Sequence, residues 1–154
     1  MKTTMIRYGI FGGLTGFVIF LSHLTFAKYL SHTILELFGY ISILLSLSFI
    51  YFAMKHYRDN VNGGIISLGK AVWIGVLISL LVGMGIGMAD FIYTRFLNPN
   101  FYVDYAQMLI AEGREDEVFE MTSIWGALFM VALVVVIGFM ISLIAALILR
   151  RDKK

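Results

Sequence analysis

Cysteine is absent from this chain, proline occurs once and charge is scarce. Without cysteine there can be no disulfide, no thiolate metal site and no thiol nucleophile, and the redox compartment is left open. Asp, Glu, Lys and Arg make up 14% of the 154 residues, where a soluble domain carries nearer a quarter. The net charge is only +2 and no basic face accompanies it, so nucleic acid is not expected as a partner. Catalytic signatures are missing too. There is no nucleophile elbow, catalytic loop, metal-ligand spacing, or Walker or dinucleotide glycine pattern. An enzyme is therefore not expected, nor a cofactor or metal.

What the chain has in abundance is apolar surface. Hydrophobic residues make up 60% of it, and its mean hydropathy is +0.88. A water-soluble fold this short could not hide so much, so the bilayer is the natural solvent and 1–154 reads as one domain. About twenty apolar residues cross a hydrocarbon core of roughly 30 Å. Four stretches qualify, at about 8–29, 34–54, 71–93 and 122–149. The expected fold is all-α: a polytopic membrane protein with four transmembrane helices in a compact bundle.

Basic residues give the topology, because Lys and Arg are retained on the cytoplasmic side. Lys2 and Arg7 precede the first span. Lys55, Arg58 and Lys70 lie between the second and third, and Arg150, Arg151, Lys153 and Lys154 follow the fourth. These are nine of the twelve basic residues, all on one face; Lys28, Arg95 and Arg114 fall on the other. Both termini are expected in the cytoplasm. Lys2, Arg7, the apolar stretch and "TFA" at 25–27 also resemble a secretory signal. Gly9, Gly12, Gly13 and Gly16 weaken such a signal but suit a packed helix, so the first span is expected to remain.

The outer loop, residues 98–120, opens with "NPN", where Pro99 stops the third span. Phe101, Tyr105, Met108 and Leu109 then fall at helical spacing, which predicts an amphipathic helix at the membrane interface, ended by Gly113. "REDEVFEM" predicts a second helix running into the fourth span. Asp104, Glu112, Glu115, Asp116, Glu117 and Glu120 make the loop acidic, either as a solvated face or as a surface for cations or a partner. In the inner loop, Asn62-Gly63-Gly64 reads as a turn and Ser67 as the N-cap of the third span. Gly63-Gly64 ahead of a helix start could cradle an anion, but a tight connector is the expectation.

Small residues recur every fourth position in the third span, at Gly75, Ser79, Gly83 and Gly87. Between helices in lipid the hydrophobic effect gives no help, so association rests on close contact that small residues permit. Gly9/Gly13 and Gly12/Gly16 do the same for the first span, and Gly138, Ser142 and Ala146 for the fourth. The contacts are expected mainly within one chain, with a homo-oligomer face open as well. Shifted by 67 residues, "SHLTFAKYL" at 22–30 overlies "ADFIYTRFL" at 89–97, suggesting two hairpins related by a pseudo-twofold axis.

Three ionisable residues share one depth inside the spans. His23, Glu36 and Asp90 each sit about 7–11 Å outward of the midplane, counted at 1.5 Å per residue. Such groups are costly and face the bundle interior or a water-filled cavity. They could form a proton or cation site. Alternatively, His23 pairs with Asp90 to pin helix register while Glu36 reaches the surface.

"YFAMKHYRDNVNGGIISLGKAVWIGVLISL", residues 51–80, carries Lys55, Tyr57, Arg58, Asp59, Asn62, Gly63, Gly64, Ile66, Ser67, Gly69, Ala71, Gly75 and the "LIS" at 77–79. That pattern resembles the bacterial four-helix integral membrane family catalogued as domain of unknown function 4199. "TRFLNPNFY" is similar to that family's short segment with an Asp-Pro turn, here Asn98-Pro99. "AEGREDEVFEM" is similar to its Gly-x-Ser-Glu-Glu-Glu-Ile helix turn, but shorter and without the serine. The resemblance implies a multi-pass protein of the bacterial cytoplasmic (inner) membrane, and brings no activity, cofactor or catalytic residue. Within the inner-loop motif Arg58 and Asp59 stand out, with a local pair capping the helix ends as the simpler role. The function expected is a non-catalytic subunit that binds a membrane-protein partner or itself. The alternative is a small transporter or ion-conducting subunit using His23, Glu36 and Asp90.

Overall fold

Helix formation follows the four apolar runs, and the computed structural model describes residues 1–151, with side chains other than those of Lys28 and His32. Lys153, Lys154 and the side chain of Lys28 therefore lie outside the described residues. The elements are α1 (Lys2–Thr25), α2 (His32–His56), α3 (Leu68–Ile92), α4 (Phe101–Ala111) and α5 (Ser123–Leu149). Four of them, all but α4, are long and apolar enough to cross a membrane. α1 begins six residues earlier than expected and stops at Thr25, where a 3₁₀ turn over Ala27–Tyr29 takes over. α2 and α3 each end in a wider π-type turn, over Tyr57–Val61 and Tyr93–Leu97, that buries its first tyrosine.

α3 is the central helix, packed against α1, α2 and α5. Its Ile74, Ile78, Val82 and Ile86 are fully buried, with Leu47, Ile50 and Met54 of α2 and Val134 of α5 around them. The four-residue stripe faces α5 in antiparallel register. A Cβ added at Gly75 would overlap Ser142, one at Gly138 would overlap Ser79, one at Gly83 would meet Val131, and one at Gly87 the Ala127 carbonyl. Gly12 and Gly16 sit instead against Val82, Ile86 and Ser46. The buried hydroxyls of Ser42, Ser46, Ser79 and Ser142 each donate to a carbonyl three or four residues back, so none is stranded in an apolar wall. The nearest backbone approach was not in the expected stripe. Gly85, on the opposite face of α3, meets the backbone of Gly13 in α1, where a side chain on either would strike main chain. A twofold axis relating the hairpins would make α1–α5 as extensive a contact as α2–α3. α2 and α3 pack together, but α1 and α5 have no comparable interface, so the pairing suggested by the 67-residue shift is not a symmetry of the bundle.

Basic residues gather at the end that carries the start of α1, the α2–α3 loop and the end of α5. Gly63 and Gly64 have φ of +63° and +82°, the left-handed turn expected there, and Asn62 Nδ2 donates to the Ile65 carbonyl at 2.7 Å. Ser67 does occupy the N-cap position of α3, but its hydroxyl makes no cap bond; exposed there, the first amides have solvent available. Arg58 pairs with Asp59 (Nε to Oδ1, 2.6 Å) and its Nη1 donates to the Leu149 carbonyl at 3.4 Å, tying the α2 end to the α5 end. Beside it Ile66 and Arg151 exchange two backbone hydrogen bonds, of 3.1 and 3.0 Å. With Asp59 well exposed, such a pair contributes little. Arg58→Ala is expected to cost less than about 1 kcal/mol globally, yet to speed amide hydrogen exchange at Ile66 and Arg151, which mass spectrometry of exchanged peptides would read.

Candidate functional site

The opposite end of the bundle is closed by α4. Pro99 stops α3, and Phe101 N–H donates to the Asn98 carbonyl at 3.0 Å, so the chain turns back over the helix it has just left. Leu109 is buried and Phe101, Tyr102, Tyr105, Ala106 and Met108 are half-buried, whereas Val103, Asp104, Gln107 and Ile110 are exposed. The helix is amphipathic as expected, and its apolar face rests on protein. After Gly113 (φ +75°) the predicted second helix is only one 3₁₀ turn, Glu115–Glu117, and Val118 is extended. Arg114 holds that turn by donating to Glu117 (Nη2 to Oε2, 2.6 Å), and Thr122 caps α5 by accepting from Trp125 N–H at 3.3 Å. The cap starts α5 afresh at Ser123.

Under α4 lies a cavity of about 270 Å³ with walls from all five helices and from residues 117–121. His23, Glu36 and Asp90 all line it. They do not converge on one another. Asp90, 2% exposed, accepts a hydrogen bond from Tyr102 Oη at 2.8 Å. His23 packs edge-on against Phe20, ring centroids 4.6 Å apart, and its Nδ1 is buried with no hydrogen-bond partner. The alternative in which His23 pairs with Asp90 is not the arrangement seen, because the Tyr102 hydroxyl from α4 reaches the carboxylate instead. Glu36 is exposed at the rim, with Tyr105 Oη 3.5 Å from its Oε1. Among the described residues no three His, Asp or Glu side chains converge closely enough to hold a metal ion. The three share a chamber rather than a ligand shell.

Two residues that build this site were not picked out from the sequence. Tyr102 supplies the partner of Asp90. Gly126 of α5 makes that possible: a Cβ there would overlap the Tyr102 hydroxyl and sit 3.1 Å from Asp90 Oδ2. Thr94 bonds the Asp90 carbonyl at 2.9 Å and is buried beside it. Burial first, then the Asp90 carboxylate, raises the Tyr102 hydroxyl far above the usual phenol value. Burial and the Glu36 carboxylate push Tyr105 to about 12. Both tyrosines therefore stay protonated donors at any physiological pH. Tyr93, Phe101, Tyr102 and Tyr105 form a continuous aromatic cluster joining α4 to the end of α3, Phe101 lying 5.5, 5.5 and 6.1 Å from the other three. The inner-loop residues Tyr57, Arg58, Asp59, Gly63, Gly64 and Ser67 lie at the other end of the bundle and take no part.

A family model described as "Protein of unknown function (DUF4199)" matches residues 7–151. No curated protein and no solved structure matches the chain.

Proposed function

We propose that this chain, which belongs to the DUF4199 family of proteins of unknown function, is a non-catalytic membrane protein that holds a small ligand in the chamber beneath α4. The observation that carries this is the chamber itself: His23, Glu36 and Asp90 come from three helices into one space whose walls, Glu117 at the rim apart, are otherwise apolar and aromatic. Ligand sites have that composition, a mostly apolar wall with a few convergent polar groups. Keeping a carboxylate inside a span is costly unless it serves something there. Toward the basic end the interior is filled by fully buried Leu47, Ile50, Met54, Ile74 and Ile78, which favours a binder over an open ion path. The excess of basic residues at that filled end supports a reading in which it faces the cytoplasm of a bacterial cell and the chamber faces outward.

Gly39 gives the test. It lines the chamber, and a Cβ there meets only His23 Nε2 at 3.8 Å and Phe20 at 4.0 Å, so alanine fits while leucine would extend into the space. In native mass spectra of protein released from its own membrane, wild type and Gly39→Ala should carry the same small-molecule adduct and Gly39→Leu should have lost it. No adduct on wild type, or one kept by Gly39→Leu, would overturn the assignment.

A second reading, docking of a protein partner, is favoured by one observation. Phe119 is 72% exposed in the acidic stretch between α4 and α5, flanked by exposed Glu115, Asp116 and Glu120. A second protein at fixed stoichiometry in a mild-detergent purification would support it. The small-residue stripes do not argue for a homo-oligomer, since each is covered within the chain.

A further inference from the structure

We infer that the ligand of this chamber is an amphipathic organic cation, taken sideways from the surrounding lipid, with its charged head at Asp90 and its tail where the turn joining α1 to α2 meets the start of α2. This rests on the chamber being a binding site and adds the class of molecule it takes.

Charge decides the head. Three carboxylates line the chamber, Glu36, Asp90 and Glu117, and among the described residues no lysine or arginine does. Glu117 is already matched at the rim by Arg114, at 2.6 Å. Asp90 has only the neutral hydroxyl of Tyr102 as its side-chain partner, and no ion pair among the described residues. A buried carboxylate without a countercharge is the costliest arrangement in a low-dielectric interior, so a cation is the guest it favours. The walls agree: Phe20, Tyr40, Phe101 and Phe129 present ring surface to the same space, and ring faces attract cations. Among the described residues the one basic side chain lining the chamber is His23, whose Nδ1 is buried without a partner. The carboxylates outnumber it, so the balance of charge in the chamber is negative.

Access decides the tail. A second cleft opens where the turn joining α1 to α2 meets the start of α2, lined by Phe26, Tyr29 and Leu30 of that turn and Phe38 of α2, and its exposed wall is apolar. His23 lines both this cleft and the chamber, so one imidazole is the partition between them. Phe26 and Phe38 are 59% and 45% exposed, so the cleft faces outward from the bundle. A head at Asp90 with a chain passing His23 would lay that chain in this cleft.

The test uses a dodecyl-trimethylammonium probe with a photoactivatable diazirine at the tail end, in nanodiscs of zwitterionic lipid. Expected labelling is on the α1–α2 cleft, at Phe26–Leu30 or Phe38. Unlabelled dodecyl-trimethylammonium should suppress it at roughly tenfold lower concentration than dodecanol, a difference of about 1.4 kcal/mol. Asp90→Asn should erase that preference, since asparagine can still accept from Tyr102. Equal competition by the alcohol would overturn the cation while leaving the chamber as a site, provided Gly39→Leu still abolishes labelling. Labelling spread over the exposed face of α5 and unchanged in Gly39→Leu would overturn both.

Discussion

Gly85→Leu should lower the thermal unfolding midpoint of the protein in mild detergent far more than any substitution in the loops, and Gly69→Leu should not lower it. At Gly85 the added carbon meets the carbonyl oxygen of Gly13, and the next nearest atoms, at 2.8 and 3.0 Å, are also Gly13 backbone. A side chain could swing aside; a carbonyl locked in the α1 hydrogen-bond ladder cannot. Relief would require α1 and α3 to move apart, and that separates Gly12 from Val82 and Gly16 from Ile86 as well. Overpacking costs about 1–3 kcal/mol, occasionally more, and this site should lie at ~3 kcal/mol or above, since nothing yields locally. Gly69 is also in α3, but nothing lies within 4 Å of its added carbon, so it controls for helix propensity. Unfolding read by intrinsic fluorescence would compare the two. Equal midpoints would mean that α1 and α3 are not in backbone contact.

That Gly85 escaped the sequence while Gly83 and Gly87 did not has a geometric cause. A four-residue step selects one face of a helix. Two residues on, the direction has turned by about 200°, so Gly85 faces α1 when Gly83 faces α5. α3 is buried on several sides, and a rule that looks for one stripe finds one interface. The spans themselves were legible because a run of about twenty apolar residues is too long for the core of so small a soluble fold and matches the thickness of a bilayer. Their ends were less so: Thr25 and Tyr57 close their helices by turn geometry that hydropathy does not register. Asp90 was legible as an anomaly, since charge inside a span is costly wherever it points. Its partner was not. Helix rotation is absent from hydropathy, and Tyr102 belongs to a helix whose position depends on how the Pro99 turn folds back. The spacing of twelve residues between Asp90 and Tyr102, with a proline between them, is the signal that was there to be read. Residues 114–121 misled for a related reason. Their acidic run suits a first helical turn, but Thr122 offers a better start, and the Arg114–Glu117 pair closes a single turn instead.

Tyr102→Phe should destabilise the protein by about 1–3 kcal/mol, and adding Asp90→Leu to it should restore most of the loss. The first change removes the one side-chain donor to a carboxylate that is 2% exposed. A buried acceptor left unmatched costs about 1–3 kcal/mol, more when charged. Asp90→Leu alone strands the Tyr102 hydroxyl instead, at a smaller cost because a neutral group is easier to bury unmatched. The double variant strands neither, and its leucine keeps the branched four-atom outline of the aspartate with the chamber beside it to take the larger methyl groups, so its stability should approach that of wild type. The four midpoints together form a double-mutant cycle whose coupling should be ~1–3 kcal/mol. Additive losses would show that the hydrogen bond does not hold the lid. Gly126→Ala should act through the same contact, because its methyl group takes the space of the Tyr102 hydroxyl. The double variant also separates stability from use. If an apolar pair serves the fold as well as Asp90 and Tyr102 do, the carboxylate is not there for the fold. It should then fail to favour the trimethylammonium probe over the alcohol while unfolding at the wild-type temperature. A double variant that kept the preference would place the charge recognition elsewhere in the chamber, at Glu36.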